Sequence, residues 1–243
     1  MNIFSQKVFI YAILQLTLFF PLSSLKSNAA SAYWLDQRTL LRDLITFQLS
    51  NTFKLISKKG ANTVLIQSDS IPNPILRFIA EKAWKSGKLK SVAWIQKPTI
   101  NNLRRISKLN GYEAIQVDDH FFKSPPVKLE NLKKDFGINK LWCSFQPNQW
   151  DPIKAVNCDQ SDIQIYRKDC EQTIQAAYAL GVIGRRDVAI AAYHSGHAAD
   201  DQYITCLEAN LNKRGNDVFI FKWANSEAWL NHASKAIKRF SKY

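Results

Sequence analysis

Two carboxylates and an imidazole stand side by side at Asp118, Asp119 and His120, closing the run YEAIQVDDHF (112–121). Carboxyl groups in pairs do acid–base work when one holds a proton and the other does not. Hydrolysis of a glycosidic bond is the reaction that ordinarily asks for such a pair. The residues ahead of them alternate apolar and polar, as in a strand whose side chains point to opposite faces in turn. On that period Ala114, Gln116, Asp118 and His120 share one face, and Ile115, Val117 and Asp119 share the other. The two carboxylates are therefore expected to point apart. Asp118 is the first candidate for the chemistry. Asp119 is a weaker catalytic candidate, expected to anchor the loop or a basic neighbour or, with Asp118, to cap the following turn.

A second carboxyl group has to come from elsewhere. Asp69, at the end of the run TVLIQS (63–68) and on its polar face, is the best partner by position, with Asp169 and Glu227 in reserve. His120 can assist as a proton donor or hydrogen-bonding group. Arg167 can pair with the acidic cluster or with an acidic sugar. Tyr166, Trp94 and Trp223 offer flat faces for stacking on sugar rings. The stretch YHSGHAADD (193–201) brings His194, His197, Asp200 and Asp201 close together in sequence, but one His-x-x-His is a weak metal signal, and Asp200 or Asp201 equally serves as a helix cap. No metal and no cofactor are expected, and the chain has no GxSxG and no glycine-rich phosphate loop.

The elements that must hold these residues repeat one pattern, a short β-type run, a turn and an amphipathic stretch. The β runs are 63–68, 91–96, 112–118, 140–146, 162–167, 187–193 and 217–223, with a weak eighth at 33–35. Helices are expected over about 38–58, 73–85, 100–109, 127–136, 152–157, 168–180, 200–213 and 227–240. Gly60, Gly87, Gly111, Gly181 and Gly215 fall where left-handed helix ends are wanted. Strict alternation implies parallel strands with right-handed crossovers. An open doubly wound sheet fits the count, but its usual phosphate loop is missing. A compact (β/α)8 barrel, an α/β fold of TIM type, is the preferred reading. Polar residues then share one parity: Gln67 and Asp69; Gln116, Asp118 and His120; Ser144 and Gln146; Gln164 and Tyr166. That parity is expected to face the barrel axis. A ring of Gln116, Gln146, Gln164 and Tyr166 near the strand ends suits a sugar pocket.

The chain's ends and charge set the context. Lys7, the apolar run 8–20, Pro21 and the Ala30-Ser31-Ala32 pattern read as a secretory signal peptide over 1–32, leaving one domain over 33–243. The formal charge is +13, or +11 once Lys7 and Lys26 leave with the leader. A secreted or periplasmic protein of that charge is expected to meet an anionic envelope surface or a cell-wall polysaccharide, and not nucleic acid. Four cysteines, Cys143, Cys158, Cys170 and Cys206, permit one or two disulfides. Cys143 reads as a buried thiol in an apolar strand, with at least one bridge expected among the other three.

GYEAIQVDDHF (111–121) resembles a signature of the glycoside-hydrolase-like family 10 proteins: Gly-Tyr-Asp-Gly-Ile-Gln, a hydrophobic residue, Asp-Asp, His or Tyr, then Phe. SFQPNQW (144–150) and DIQIYRKD (162–169) are similar to two later stretches of that family, in the same order. The resemblance runs from about residue 91 to 223. It implies an exported barrel acting on envelope glycans, and it carries site roles onto Gln116, Asp118, Asp119, His120, Pro147, Asn148, Gln164, Tyr166 and Arg167. The chain departs from the pattern at Glu113-Ala114, where the family has Asp-Gly, and in its short N-terminal third. Two readings follow: a glycoside hydrolase cleaving O-glycosidic bonds of an envelope or extracellular polysaccharide, or a non-catalytic glycan-binding protein on a degenerate glycosidase barrel. A metal-dependent hydrolase built on His194 and His197 is a third class.

Overall fold

A computed structural model of the protein describes residues 32–167, 169–193 and 201–221. The leader, the His194–Asp200 stretch, Trp223, Glu227 and the expected last helix lie outside the described residues. Eight parallel strands follow one another around a closed barrel: β1 (Ala32–Leu35), β2 (Thr63–Gln67), β3 (Lys90–Ile95), β4 (Ala114–Val117), β5 (Leu141–Phe145), β6 (Gln160–Gln164), β7 (Val188–Tyr193) and β8 (Val218–Phe221). Pairing of β1 with both β2 and β8 shuts the ring. The weak eighth run is therefore a full member of the sheet. Ala32, the last residue of the expected leader, is buried in it opposite Thr63 and Phe219.

Helices α1 (Gln37–Ile45), α2 (Leu49–Lys58), α3 (Asn73–Gly87), α4 (Ile100–Ile106), α5 (Asp119–Lys123), α6 (Leu132–Phe136), α7 (Pro152–Ala155), α8 (Cys170–Ala179) and α9 (Asp201–Leu211) connect the strands. The single helix expected over 38–58 is two. The chain turns between them at Phe47, which takes φ +57° with its ring in solvent. Buried Asp43 fixes that turn, since its backbone carbonyl accepts from Gln48 N at 2.8 Å and its carboxylate accepts from the Thr52 hydroxyl and from Arg42. Gly87 is also not a left-handed cap. It lies inside α3, where an added Cβ would come 2.7 Å from the Phe53 carbonyl oxygen, and Lys88 takes the left-handed conformation instead. Its role is close approach of α3 to α2.

The apolar parity of the strands faces the helices. Val64, Ile66, Ile115, Val117, Ile163 and Ile190 join Phe53, Leu76 and Leu207 in one buried layer around the barrel. The other parity fills the interior: Trp34, Leu65, Trp94 and Phe219 form a separate apolar cluster, and Gln116, Ser144 and Asp162 are buried beside them. Strand β6 starts two residues earlier than expected and ends at Gln164, which puts Asp162 at mid-strand and Tyr166 and Arg167 on the loop beyond it.

The cysteines pair as Cys143–Cys158 and Cys170–Cys206. Cys143 is thus not a free thiol. Its outward parity on β5 carries the sulfur to the segment that returns from α7 to β6, and the second bridge staples α8 to α9. Bridges closing loops with separations of 15 and 36 residues each contribute about 3–4 kcal/mol by constraining the unfolded chain. They suit an oxidising compartment. No helix among the described residues is long and apolar enough to cross a membrane.

Candidate active site

Strand β4 stops at Val117, and the chain turns at once into α5. Asp118 is the helix N-cap, its Oδ1 accepting from Asp119 N at 2.8 Å. Capping by an Asp satisfies one of the orphan amides of a helix start. It also ends the strand period, so the expectation that Asp118 and Asp119 point apart fails. Successive helical residues turn by about 100°, not 180°, and both carboxylates come to the same imidazole. His120 Nδ1 stands 3.5 Å from Asp118 Oδ2 and 3.2 Å from Asp119 Oδ1.

The oxygens of the pair divide cleanly. Asp118 Oδ1 accepts from Asp119 N and from Gln164 Nε2, the latter at 3.0 Å, so Oδ2 is the oxygen left to carry a proton. Asp119 Oδ2 accepts from Gln146 Nε2 and is paired with Lys123 Nζ, both at 2.7 Å, while its backbone carbonyl accepts from Gln149 Nε2. Lys123 lies one helical turn along α5, the spacing at which an acid and a base meet. Burial first, and then the neighbouring Asp119 charge, push Asp118 up to about 7. Asp118 is therefore poised to hold or release a proton near neutrality.

Beneath the pair runs a chain of hydrogen bonds. Gln164 Nε2 also donates to Ser144 Oγ at 2.9 Å, and Ser144 Oγ donates to Asp162 Oδ2 at 2.6 Å. Gln116 Nε2 donates to Asp162 Oδ1, and Gln116 Oε1 accepts from Trp34 Nε1 at 3.0 Å. Every polar atom named has a partner, as buried polar groups require. Asp162 is fully buried, and burial, together with the Asp118 charge, raises it well above the ordinary carboxylate range against the pull of its Ser144 and Gln116 bonds.

Above this floor lies an aromatic wall. Tyr166 stacks on Phe221 with ring centroids 6.0 Å apart, and Phe221 meets Trp94 and Trp34 edge-on at 5.9 and 6.1 Å. The indole N–H of Trp94 is buried and has no acceptor among the described residues.

Of the residues singled out in the sequence, the fold gathers Asp118, Asp119, His120, Gln116, Gln146 and Gln164 at one place, with Tyr166 at the rim. Asn148 is exposed on the loop after β5, and Arg167 is exposed, donating to the Tyr166 carbonyl. Asp69 is committed elsewhere, its carboxylate accepting from Gln96 N and Lys97 N at 3.0 and 2.7 Å and clasping the loop that leaves β3. Asp169 caps α8. The residues not foreseen are Asp162, Lys123, Gln149 and Trp34. Asp162 was within reach, because counting back two from Gln164 puts it on the inward face. Lys123 was hidden by the assumption that the strand continued. The close grouping of Asp118, Asp119 and His120, with donor atoms all within 4.8 Å of one another, is also one that a cation could bridge. Lys123 already supplies a positive charge beside Asp119.

No protein-family model and no curated protein matches the chain. Solved structures do match in fold. An active-site mutant of the Rhizomucor miehei β-1,3-glucanosyltransferase in complex with laminaritriose is 11% identical, with a TM-score of 0.56 over 81% of this chain and 87% of that one. The glycoside hydrolase family 17 β-1,3-glucanosyltransferase from the same organism gives 9% identity and a TM-score of 0.53 over 81% and 87%. A 2,3-dimethylmalate lyase of the PEP mutase/isocitrate lyase superfamily gives 10% and 0.54 over 89% and 84%. At these identities the shared property is the barrel, a fold that hosts unrelated chemistries.

Proposed function

We propose that the protein is an exported glycoside hydrolase that cleaves O-glycosidic bonds of an envelope or extracellular polysaccharide, with Asp118 as its general acid. The observation that carries this reading is the placement of Asp118: at the C-terminal end of a barrel strand, where such folds keep their active sites, with Oδ1 held by Asp119 N and Gln164, Oδ2 facing His120, and a proton affinity raised to about 7. Glycosidic cleavage needs a proton delivered to the leaving oxygen at the pH of the envelope, and an ordinary carboxyl group has already lost its proton there. Asp119 carries the negative charge of the pair, fixed by Lys123 and Gln146. Gln164 orients Asp118, while Gln146 does the same for its partner. Tyr166 supplies apolar surface for a sugar ring, a role that the sequence alone suggests for Trp223, and Asn148 and Arg167 border the opening for polar groups of the chain being cut. The resemblance of the DDHF and QIYR stretches to exported glycosidase-like barrels supports the same reading, as do the leader-like N-terminus and the two disulfides.

The test is release of reducing ends from cell-wall and acidic glycans by the purified chain and by Asp118→Asn. Cleavage by the parent and none by the variant, with both equally folded by circular dichroism, is the expected result. Cleavage retained by Asp118→Asn would remove the mechanism. One observation favours a binding-only rival: Asp118 and Asp119 are each only 4% exposed beneath His120. That rival requires glycan binding by parent and variant alike, with cleavage by neither.

A further inference from the structure

We infer that the site hydrolyses glycosides of 2-acetamido-2-deoxy sugars, using the substrate's own acetamido oxygen as the nucleophile. The inference rests on the hydrolase reading above and narrows it to a substrate class.

The geometry of the carboxyl pair is the starting point. An acid and a carboxylate nucleophile flank the scissile bond from two sides, about 5–5.5 Å apart, and an acid and a base that activates water stand about 6.5–9.5 Å apart. Asp118 and Asp119 do neither. They are consecutive at the start of one short helix, and a single nitrogen, His120 Nδ1, fills the space between Asp118 Oδ2 and Asp119 Oδ1 at 3.5 and 3.2 Å. The two carboxylates therefore meet a substrate from one side, not from opposite sides of an anomeric carbon. The other carboxylates described near the strand ends have other duties: Asp36, Asp151 and Asp169 cap helices. Asp162 lies in the barrel floor with both oxygens bonded, and Asp69 holds two backbone amides of a loop. Among the described residues a sugar bound here meets no carboxylate placed as nucleophile, and an acetamido group at C2 supplies one.

A second observation points to the same ligand from the other wall. Trp94 is 3% exposed and faces the barrel interior, and its indole N–H has no acceptor among the described residues. It belongs to the aromatic set that reaches the mouth through Phe221 and Tyr166. A buried donor without an acceptor is costly, and a carbonyl oxygen brought in by a ligand removes that cost. An acetamido group offers a counterpart to each wall: an N–H for Asp119 Oδ1, a carbonyl oxygen for the Trp94 indole and a methyl for the aromatic rings. His120, half exposed over the two carboxylates, holds the position of that N–H until substrate displaces it.

The reaction balances without a co-reactant other than water. The acetamido carbonyl oxygen attacks C1 while the bond from C1 to the leaving oxygen breaks. The proton on Asp118 Oδ2 passes to that leaving oxygen. The amide proton passes to Asp119 Oδ1, leaving a neutral bicyclic oxazoline. Water then adds at C1 and gives a proton to Asp118, the C1–oxygen bond of the ring opens, and the amide nitrogen recovers its proton from Asp119. Both carboxyl groups end as they began, and the anomeric configuration is retained.

The test compares 4-methylumbelliferyl N-acetylglucosaminides with the matching glucosides, in both anomeric forms, using the full purified chain. Cleavage of an acetamido substrate at least 100-fold faster is expected, with retention seen by NMR of the first product. Rates should fall stepwise as the acetyl group carries one, two and three fluorines. A 1,2-fused thiazoline of the same sugar should inhibit competitively. Asp119→Asn should lose kcat, and Trp94→Phe should raise KM for the acetamido substrate alone. Comparable turnover of glucosides, an inverted product, or rates indifferent to fluorination would overturn the inference and leave the hydrolase reading standing. Turnover of no glycan at all would overturn both.

Discussion

Strands β4, β5 and β6 fill their share of the barrel interior with Gln116, Ser144, Asp162 and Gln164, whereas β8, β1, β2 and β3 fill theirs with Phe219, Phe221, Trp34, Leu65 and Trp94. Both halves are largely buried, and they are held by opposite physics. The aromatic half stabilises by removing apolar surface from water and by edge-on ring contacts, such as Trp34 on Phe219 at 5.5 Å. The polar half has to match each donor to an acceptor merely to break even. It also keeps carboxyl groups close together and buried, an arrangement unfavourable to folding. What the contrast teaches is that one half of the ring keeps the barrel shut so that the other can carry chemistry.

The largest effect expected from breaking this division is on activity, at Asp118. Asp118→Asn should lower glycan cleavage by about 10²–10⁴-fold, the usual contribution of a general acid. The same change should not harm the fold. A carboxyl group whose proton affinity is higher in the folded than in the unfolded chain contributes stability that is complete below the unfolded value and is lost as pH rises toward 7. Asn has no proton to lose. The variant should therefore melt above the parent at pH 8 and converge with it near pH 4, in thermal scans across that range. Parent activity should fall as pH rises through about 7, on a limb set by Asp118 with Asp119, His120, Lys123 and Asp162 around it. A flat profile from pH 6 to 8 would break the assignment of the acid.

On the aromatic side the sign reverses. Phe219 touches Trp34 and Trp142 and is 1% exposed. Phe219→Ala should cost about 3–5 kcal/mol of stability, read from urea midpoints. The slope of pH dependence near 7 should stay unchanged in the fraction still folded. Smaller again is Ser144→Ala, which removes the hydroxyl that joins Gln164 to Asp162. About 1–3 kcal/mol is expected, together with a measurable displacement of the pH limb, because Gln164 then holds Asp118 with one anchor fewer.

Much of this division could be read from the sequence. Alternation put Gln116, Ser144 and Gln164 on one parity and Val117, Cys143 and Ile163 on the other, and the fold keeps both sets where the period placed them. The period failed where an element ended. Asp119 was assigned to the outward face because the strand was carried one residue too far, and a cap is a local competition between side chain and backbone that alternation does not register. Asp69 was promoted by its position, yet the loop amides of Gln96 and Lys97 claim it, a long-range pairing invisible along the chain. Cys143 was read as a thiol because its neighbours are apolar. Its partner is brought to it by the return of the chain from α7.

The smallest change tests the seam between the halves. Trp34 Nε1 to Gln116 Oε1, at 3.0 Å, is the hydrogen bond through which the aromatic half meets the polar one. Trp34→Phe keeps a ring against Phe219 and Phe221 but removes the donor, leaving a buried amide oxygen unpartnered. The bond itself contributes about 1 kcal/mol, and the orphaned oxygen together with the lost ring volume brings the expected cost to about 1–3 kcal/mol. Gln116 would still donate to Asp162, and Asp162 would still accept from Ser144, so the path to Asp118 stays whole above the break. The pH limb should therefore hold its place while the melting temperature drops. If the limb moves with Trp34→Phe as far as it does with Ser144→Ala, the two halves are coupled through the floor of the barrel, and the aromatic side takes part in setting the proton affinity of Asp118.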